Sequence, residues 1–199
     1  MAKAKKRQAT SGNGAWIPTK KSERHGVTNH LLPRPAQVLA IDPGTREMGL
    51  AILEGSSLVY HQVANLKKHR PASELLFATR VTLSKLLESY RITTVVLEKV
   101  PKRLPLSFSL LVDQARGIKQ WARSRRIPLV EIAAQTVRAH LVANGRATKK
   151  ETAKIVVSRY PGLKILLTQD YKYKEKYWQN MFDAVALGIT YQEQHRSRS

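Results

Sequence analysis

The chain has 199 residues, 42% of them hydrophobic, which is enough for one domain with a core and excludes a chain that is disordered throughout. It has no cysteine, which excludes disulfides and thiolate metal sites. It carries 35 lysines and arginines against 14 acids, a net charge of +21 that predicts a polyanionic partner, nucleic acid first. No apolar run reaches the roughly 18 residues that span a bilayer, so we expect no role in a membrane.

The two ends of the chain differ from its middle in composition. Residues 1–34 are rich in charge, Ser and Gly, and are predicted to form a flexible basic arm that contacts phosphates without regard to base sequence. The arm accounts for +7 of the net charge, so +14 remains on the rest of the chain and the folded part itself must be basic. We expect that folded part at 35–193, followed by a short basic tail at 194–199.

The folded part begins with three β-type runs that are separated by the turn signals "PGTR" and "EGSS". Helical spacing and short β-branched runs then alternate, and a basic, Tyr-rich stretch at 161–177 is predicted to be a connection. The predicted strands are 37–42, 47–53, 57–64, 92–98 and 128–133, and the predicted helices are 72–90, 107–126, 135–143, 148–159 and 179–193. This order predicts an α/β domain with a mixed five-stranded sheet, in which an antiparallel meander of three strands and two parallel strands are flanked by helices.

Three acids stand at apolar positions of this basic chain. Asp42 and Glu98 end predicted strands, and Asp183 lies inside the apolar helix stretch "MFDAVALGI". Each alone has a structural explanation, such as a turn cap or an ion pair, because charges leave water only when they are paired or ligated. In the predicted sheet, however, the strands that carry Asp42 and Glu98 are neighbours, and the last helix could bring Asp183 to the same point. Converging carboxylates favour Mg²⁺ or Mn²⁺, and with a basic surface they indicate two-metal hydrolysis of nucleic acid.

Five motifs follow one another along this predicted domain: "LAIDPGTREMGLAIL", "VVLEKV", "DQARG", "VRAHLVANGRATKKE" and "NMFDAVALGITY". Together they resemble the motifs of the RuvC-type Holliday-junction resolvases of the ribonuclease-H-like superfamily, over roughly Val38 to Tyr191. The positions of that family's catalytic acids, and of its two bases near the scissile phosphate, are taken here by Asp42, Glu98, Asp183, Arg138 and Lys149.

The resemblance implies a metal-dependent endodeoxyribonuclease that resolves four-way DNA junctions by paired symmetric nicks, with two Mg²⁺ ions per active site that Mn²⁺ can replace. Asp42 would bind both ions, Glu98 and Asp183 would bind one each, and Lys149 would act on the phosphate. It also implies a homodimer formed through helix 107–126, with branch-migration machinery as a candidate partner. Such an enzyme would work in the cytoplasm at the nucleoid of a prokaryote, or for a phage, and an organelle is the alternative.

Two positions depart from the family pattern. Asn180 stands three residues before Asp183, where the family usually has a second acid or His, so we expect a neutral ligand and weaker binding at one metal site. Pro101 stands where the resolvases commonly carry an aromatic residue that enters the junction centre. Candidate replacements on the same loop are an aromatic side chain and two bases that would contact the DNA backbone: Phe108, Lys102 and Arg103.

The predicted helix 107–126 carries candidates for two kinds of contact. Arg116 and Lys119 are candidates for DNA binding, and a solvated helix face is the alternative explanation for Lys119. Leu110, Leu111 and Ile118 are candidates for the dimer interface, for which ordinary core packing is the alternative.

Other functions remain open at this point. A broader branched-DNA nuclease, or one that cuts RNA–DNA hybrids, would keep the chemistry and change the substrate. A junction-binding protein with a weakened active site is favoured by Asn180 alone. A structural, ribosome-associated protein would explain the charge but not the three acids.

Overall fold

The computed structural model describes residues 36–68, 71–101, 105–142, 146–172 and 177–196, all within a unit that spans Arg34–Ser199. The predicted arm at 1–34 lies outside the described residues, as do Lys102, Arg103 and the last three residues of the predicted tail.

A mixed five-stranded sheet forms the centre of the fold. Its strands are β1 (Gln37–Asp42), β2 (Glu47–Glu54), β3 (Ser57–Asn65), β4 (Ile92–Glu98) and β5 (Leu129–Ile132). The order across the sheet is β3-β2-β1-β4-β5. The pairs β1–β2 and β2–β3 are antiparallel, whereas β1–β4 and β4–β5 are parallel. The predicted meander with two parallel additions is therefore confirmed.

Helices cover both faces of the sheet. They are α1 (Ala72–Ser89), α2 (Ser109–Ser124), α3 (Ala134–Val142), α4 (Lys149–Arg159), α5 (Lys164–Lys172) and α6 (Gln179–Arg196), with short 3₁₀ turns at Leu106–Phe108 and Pro161–Leu163. One core cluster joins the sheet to α1 and α2, and the other joins it to α3, α4 and α6. The two clusters lie on opposite faces because successive side chains of a strand point to opposite sides.

The central strand β1 shows this alternation directly. Leu39 and Ile41 belong to the cluster on the α1/α2 face, while Val38 and Ala40 belong to the cluster on the α6 face. Asp42 comes two residues after Ala40, so the period of two places its side chain on the α6 face. The sheet register thus decides which helix the first acid meets.

Two helical segments differ from the sequence prediction. The stretch at 161–177, predicted as a connection, contains α5, and α6 continues to Arg196, past its predicted end at 193. In α5, Leu166 and Leu167 pack against the core on the α6 face. The prediction missed this helix because Lys and Tyr residues around a short apolar run hide its periodicity, and tertiary burial supplies the stabilisation that the local pattern does not show.

Candidate active site

The ends of two neighbouring parallel strands bring Asp42 and Glu98 together. Ile41 pairs with Leu97 in the β1–β4 register, so the two acids follow at adjacent positions at the same edge of the sheet. Val96 belongs to the core cluster on the α6 face, and Glu98 comes two residues later, on that same face. Both predicted acids therefore face the helix that carries the third.

Helix α6 lies close enough to the sheet to bring Asp183 to this edge. Gly49 pairs with Asp42 across the β1–β2 ladder, and a Cβ atom at Gly49 would stand 1.9 Å from the backbone oxygen of Asn180. Only a residue without a side chain permits this approach of strand and helix. The contact holds the first turn of α6 against β2, directly opposite Asp42.

The three carboxylates repel one another in this arrangement. Burial, with the charges of Glu98 and Asp183, raises the pKa of Asp42 well above its usual range. Burial, with the charge of Asp183, raises the pKa of Glu98 to about 7. Asp42 is 7% exposed, and neither Asp42 nor Glu98 accepts a hydrogen bond from the described residues. The site thus holds more negative charge than its protein groups neutralise.

This excess of charge fits a hard divalent cation, for which carboxylate and amide oxygens are suitable ligands. Among the described residues, however, no three His, Cys, Asp or Glu side chains are grouped closely enough to hold one ion together. The raised pKa values and the absence of a closed ligand group are compatible, because carboxylates repel one another over longer distances than metal coordination allows. Coordination needs oxygens at about 2.0–2.6 Å from the ion. The residues therefore fit a cation by their chemistry, while their spacing in this structure is wider than a closed coordination shell.

In the metal-free protein, the repulsion between the acids should make the free energy of unfolding depend on pH. Because the pKa of Glu98 rises from its ordinary 4.5 to about 7 on folding, the folded protein binds the proton more tightly. Stability of the metal-free protein should then fall as pH increases from about 4.5 to about 7, by roughly 3 kcal/mol for this group. Urea unfolding in EDTA across this range should show the slope in the wild type.

Glu98→Gln is the matched control for this pH dependence. It keeps the size of the side chain and removes the titrating group, so it should flatten the part of the slope that Glu98 causes. An equal slope in wild type and variant would contradict the assignment of the raised pKa to Glu98.

Lys149 supplies the positive charge that lies nearest to the acids. Its Nζ is 2.6 Å from Oδ2 of Asp183. Burial acts to lower the pKa of Lys149, but the charge and hydrogen bond of Asp183, with the charges of Asp42 and Glu98, raise it above the usual value. The ammonium therefore stays protonated at neutral pH.

A capping box fixes the backbone that carries Lys149. The predicted N-cap, Thr148, accepts a hydrogen bond from the Glu151 amide through its hydroxyl, and the Glu151 carboxylate accepts one from the Thr148 amide at 2.7 Å. Lys149 is the first residue of α4, so this cap sets the point from which its side chain reaches Asp183.

Thr148→Ala should therefore destabilise the first turn of α4 and make the backbone that carries Lys149 more mobile. The expected loss of unfolding free energy is about 1 kcal/mol, as for other N-caps, and the cleavage rate should fall further than this loss explains. Ser158→Ala is the control, since the Ser158 hydroxyl bonds to Ile155 within the same helix and far from its first turn. Equal activity of both variants in a cleavage assay at saturating substrate would contradict the role of the cap.

Two amide side chains in the first turn of α6 form hydrogen bonds that the sequence did not predict. Gln179, which sequence reasoning missed, donates from Nε2 to Oδ1 of Asp183 at 3.0 Å. The predicted ligand Asn180 donates from Nδ2 to the backbone oxygen of Glu47 at 2.6 Å, which leaves Oδ1 as its donor atom for a metal. The spacing of four residues between Gln179 and Asp183 is the signal that could have identified the first of these contacts.

An open cleft of about 700 Å³ borders Asp42, the first of the three acids. Asp42, Lys149 and Asn180 line it, together with Phe108 on the 3₁₀ turn that precedes α2. Phe108 is 46% exposed, and Leu106 on the same turn is 92% exposed. A smaller adjoining pocket is lined by Glu98, Lys149, Asp183 and Arg138. The structure thus brings Arg138 and Phe108, both predicted site residues, to the borders of the same site.

The candidates on α2 are placed differently. Arg116 forms an ion pair with Asp113 at 3.0 Å, and Lys119 forms one with Glu131 at 2.7 Å. Both bases border a separate groove beside Pro101 rather than the cleft that Asp42 lines. Ile118 is completely buried against the sheet, so core packing explains it and it is not available for a dimer contact, whereas Leu110 and Leu111 are half-buried at the border of the cleft.

Comparison with known proteins decides the family. Residues 38–191 match the family model described as "Crossover junction endodeoxyribonuclease RuvC". The protein of that name from Xanthomonas oryzae pv. oryzae is 32% identical over 161 residues, which cover 78% of this chain and 86% of the relative. The chain belongs to the RuvC family. Another member, from Maricaulis maris, is 28% identical over 168 residues, 82% of this chain and 94% of the relative.

Solved structures of RuvC proteins share the fold of this family member. The structure of Thermus thermophilus RuvC has a TM-score of 0.63 and 22% identity, and covers 81% of this chain and 96% of that one. T. thermophilus RuvC in complex with Holliday junction substrate has a TM-score of 0.64 and 20% identity, and covers 82% and 96%. The ribonuclease-H-like architecture that the resemblance implied is therefore confirmed. In the part of this RuvC-family chain that the structure describes, no helix is long and apolar enough to cross a membrane.

Proposed function

We propose that this RuvC-family protein is an endodeoxyribonuclease that resolves four-way DNA junctions by paired symmetric nicks. The observation that carries the proposal is the meeting of Asp42, Glu98 and Asp183 with Lys149 at one sheet edge, under an open cleft in a strongly basic protein. A buried group of acids, two of which accept no hydrogen bond from the described residues, is costly for a merely structural protein. It is useful where divalent cations and a DNA phosphate must be held together.

Each acid has a distinct part in this proposal. Asp42 would serve as the ligand shared with Glu98 on β4 and with Asp183 on α6, and these three residues would hold two Mg²⁺ or Mn²⁺ ions. Asn180 contributes its Oδ1 while its Nδ2 stays on Glu47. When bound, the ions would supply Lewis acidity for hydrolysis of the phosphodiester bond.

The bases act on the phosphate. Lys149, held protonated by the acids, stabilises the additional negative charge of the transition state, and Arg138 does so from α3. Gln179 keeps the Asp183 carboxylate in place through its hydrogen bond to Oδ1. Lys149 and Arg138 both line the smaller pocket, together with Glu98 and Asp183.

Further proposed roles concern the assembly of the protein and its contacts with the junction. We propose a homodimer in which two active sites face two opposite strands, so that the symmetry of the protein matches that of the junction. The exposed turn with Phe108 would enter the junction centre, and Lys102 and Arg103 would contact its backbone. Branch-migration machinery remains a candidate partner, and we place the protein where the DNA is, at the nucleoid in a prokaryote. Because Arg116 and Lys119 are paired with acids, they are weaker candidates for DNA contacts than Arg138.

One alternative has structural support. The wider spacing of the acids and the use of the Asn180 amide on Glu47 would also suit a protein that binds junctions without cutting them. Such a protein would bind a junction tightly in EDTA and in Mg²⁺ alike, with no product in either.

A substrate panel tests the proposal against this alternative and against a nuclease of broader range. Four-way junction, three-way junction, linear duplex and RNA–DNA hybrid, all of one sequence, should be incubated with the protein in Mg²⁺, Mn²⁺ or EDTA. We expect cleavage of the four-way junction in either metal, with far less product from the other substrates. Equal cleavage of three-way and four-way junctions would indicate the broader nuclease, and binding without cleavage would indicate the binding protein.

A further inference from the structure

Gln114 is a fully buried polar residue outside the cluster of acids. It lies in the "DQARG" motif on α2 and is 0% exposed, among the apolar side chains between that helix and the sheet. Its Nε2 donates to the backbone oxygen of Gly44 and to the Thr79 hydroxyl, at 3.2 Å each, and lies 3.9 Å from the Met48 sulfur. Its Oε1 is buried and has no hydrogen-bond partner.

The contact with Gly44 reaches the loop that follows Asp42. This β1–β2 loop is tightly turned, since a Cβ at Gly44 would stand 2.0 Å from the backbone oxygen of Glu47. The loop is therefore held from both faces of the sheet by side-chain amides. Gln114 holds the Gly44 oxygen from the α2 face, and Asn180 holds the Glu47 oxygen from the α6 face. Its position next to Asp42 makes this loop the direct support of the shared carboxylate.

The unpartnered Oε1 argues against a role for Gln114 in stabilising the core. A buried acceptor without a partner lowers stability, and an apolar side chain of similar size would avoid that cost. Stabilisation of the core is thus a poor explanation for an amide at this position. A donor is required there only by the Gly44 oxygen and the Thr79 hydroxyl.

We propose that Gln114 is a positioning residue, which fixes the β1–β2 loop through Gly44 and so holds Asp42 where it acts. This inference rests on the proposed nuclease function for its kinetic consequence, but its structural consequence is independent of activity. It also ties the loop to α1 through Thr79 and to α2, the helix proposed for the dimer.

Two variants separate positioning from stability. Gln114→Met keeps the volume and removes both the donor to Gly44 and Thr79 and the unpartnered oxygen; because these two effects oppose each other, its Tm should be no lower than that of Thr79→Val. Its kcat for junction cleavage should fall about 10- to 100-fold at unchanged junction Kd, because small displacements of a reacting group are costly. Thr79→Val leaves Gln114 on Gly44 but removes one acceptor, so it should lower Tm by roughly 2–6 °C and leave kcat within about twofold.

Hydrogen exchange measured on the intact proteins gives the readout that needs no catalysis. Amides of the β1–β2 loop should exchange faster in Gln114→Met, with β4 and α2 unchanged, and should exchange at wild-type rates in Thr79→Val. Unchanged exchange in the loop of Gln114→Met would overturn the inference. An unfolded Gln114→Met protein, or a loss of stability large enough to explain the whole loss of kcat, would overturn it as well. If the wild type cuts no junction while the exchange result holds, the proposed function fails and the positioning role stands.

Discussion

Asp42→Asn should abolish cleavage and at the same time make the metal-free protein more stable. Asp42 is buried, accepts no hydrogen bond from the described residues, and is repelled by Glu98 and Asp183. An amide of the same size keeps the packing and removes one of the mutually repelling charges, which should raise the unfolding free energy at pH 8 by about 1–3 kcal/mol. The rate of junction cleavage should fall by about 10³-fold or more, as for other essential active-site groups. Urea unfolding in EDTA and a cleavage assay in Mg²⁺ measure the two effects.

Asp113→Asn is the matched control for this prediction. Asp113 is an exposed acid in an ion pair with Arg116 on α2, so the same chemical change there should alter neither stability nor rate appreciably. A loss of stability in Asp42→Asn would mean that Asp42 is a structural acid. Retained cleavage would mean that the reaction runs through other ligands.

Gly49→Ala should disrupt the site from a position that carries no functional group. The added methyl would stand 1.9 Å from the backbone oxygen of Asn180, and backbone on both sides leaves no flexible atom to move aside. Helix α6 must then shift away from β2, at a cost of about 3 kcal/mol or more, and Asp183 shifts with it. We expect a markedly lower Tm and little cleavage activity.

Gly162→Ala controls for the loss of a glycine as such. It lies in the 3₁₀ turn Pro161–Leu163, where an added Cβ has no neighbour within 4 Å, so the change should be nearly neutral. A Gly49→Ala protein with the Tm and the activity of the wild type would contradict the close approach of α6 to the sheet.

The pattern of apolar residues along the chain was sufficient to predict those strands and helices whose apolar positions are also the buried ones. The β1 and β4 runs are apolar because both faces of the central strands are covered, and their register then follows from the sheet order. The helix Lys164–Lys172 was missed because its stability comes from Leu166 and Leu167 against a core that the local sequence does not reveal. The sequence leaves the role of Ile118 open between core and dimer interface for a similar reason, since one helix face can pack against either and only the tertiary structure separates the two.

The acids of the site and the position of Asn180 were predicted from the sequence, but the hydrogen bonds of the surrounding amides were not. A carboxylate at the end of a buried strand is conspicuous because its desolvation needs an explanation. An amide such as Gln114, Gln179 or Asn180 is common on any helix. Its role depends on which backbone oxygen or carboxylate lies within hydrogen-bond distance. The Gly44 and Glu47 oxygens are brought to Gln114 and Asn180 by contacts distant in sequence. Only the assembled fold reveals them.

The central claim is that two copies of this acidic site cut a four-way junction in a coordinated way. The most direct test is to map the nicks on a synthetic junction labelled in turn on each strand, in Mg²⁺, with Asp183→Asn as the inactive control. We predict nicks at symmetric positions on two opposite strands, which yield ligatable linear duplexes and disappear in the variant. Scattered or single-strand nicks, or cleavage that survives Asp183→Asn, would contradict the claim.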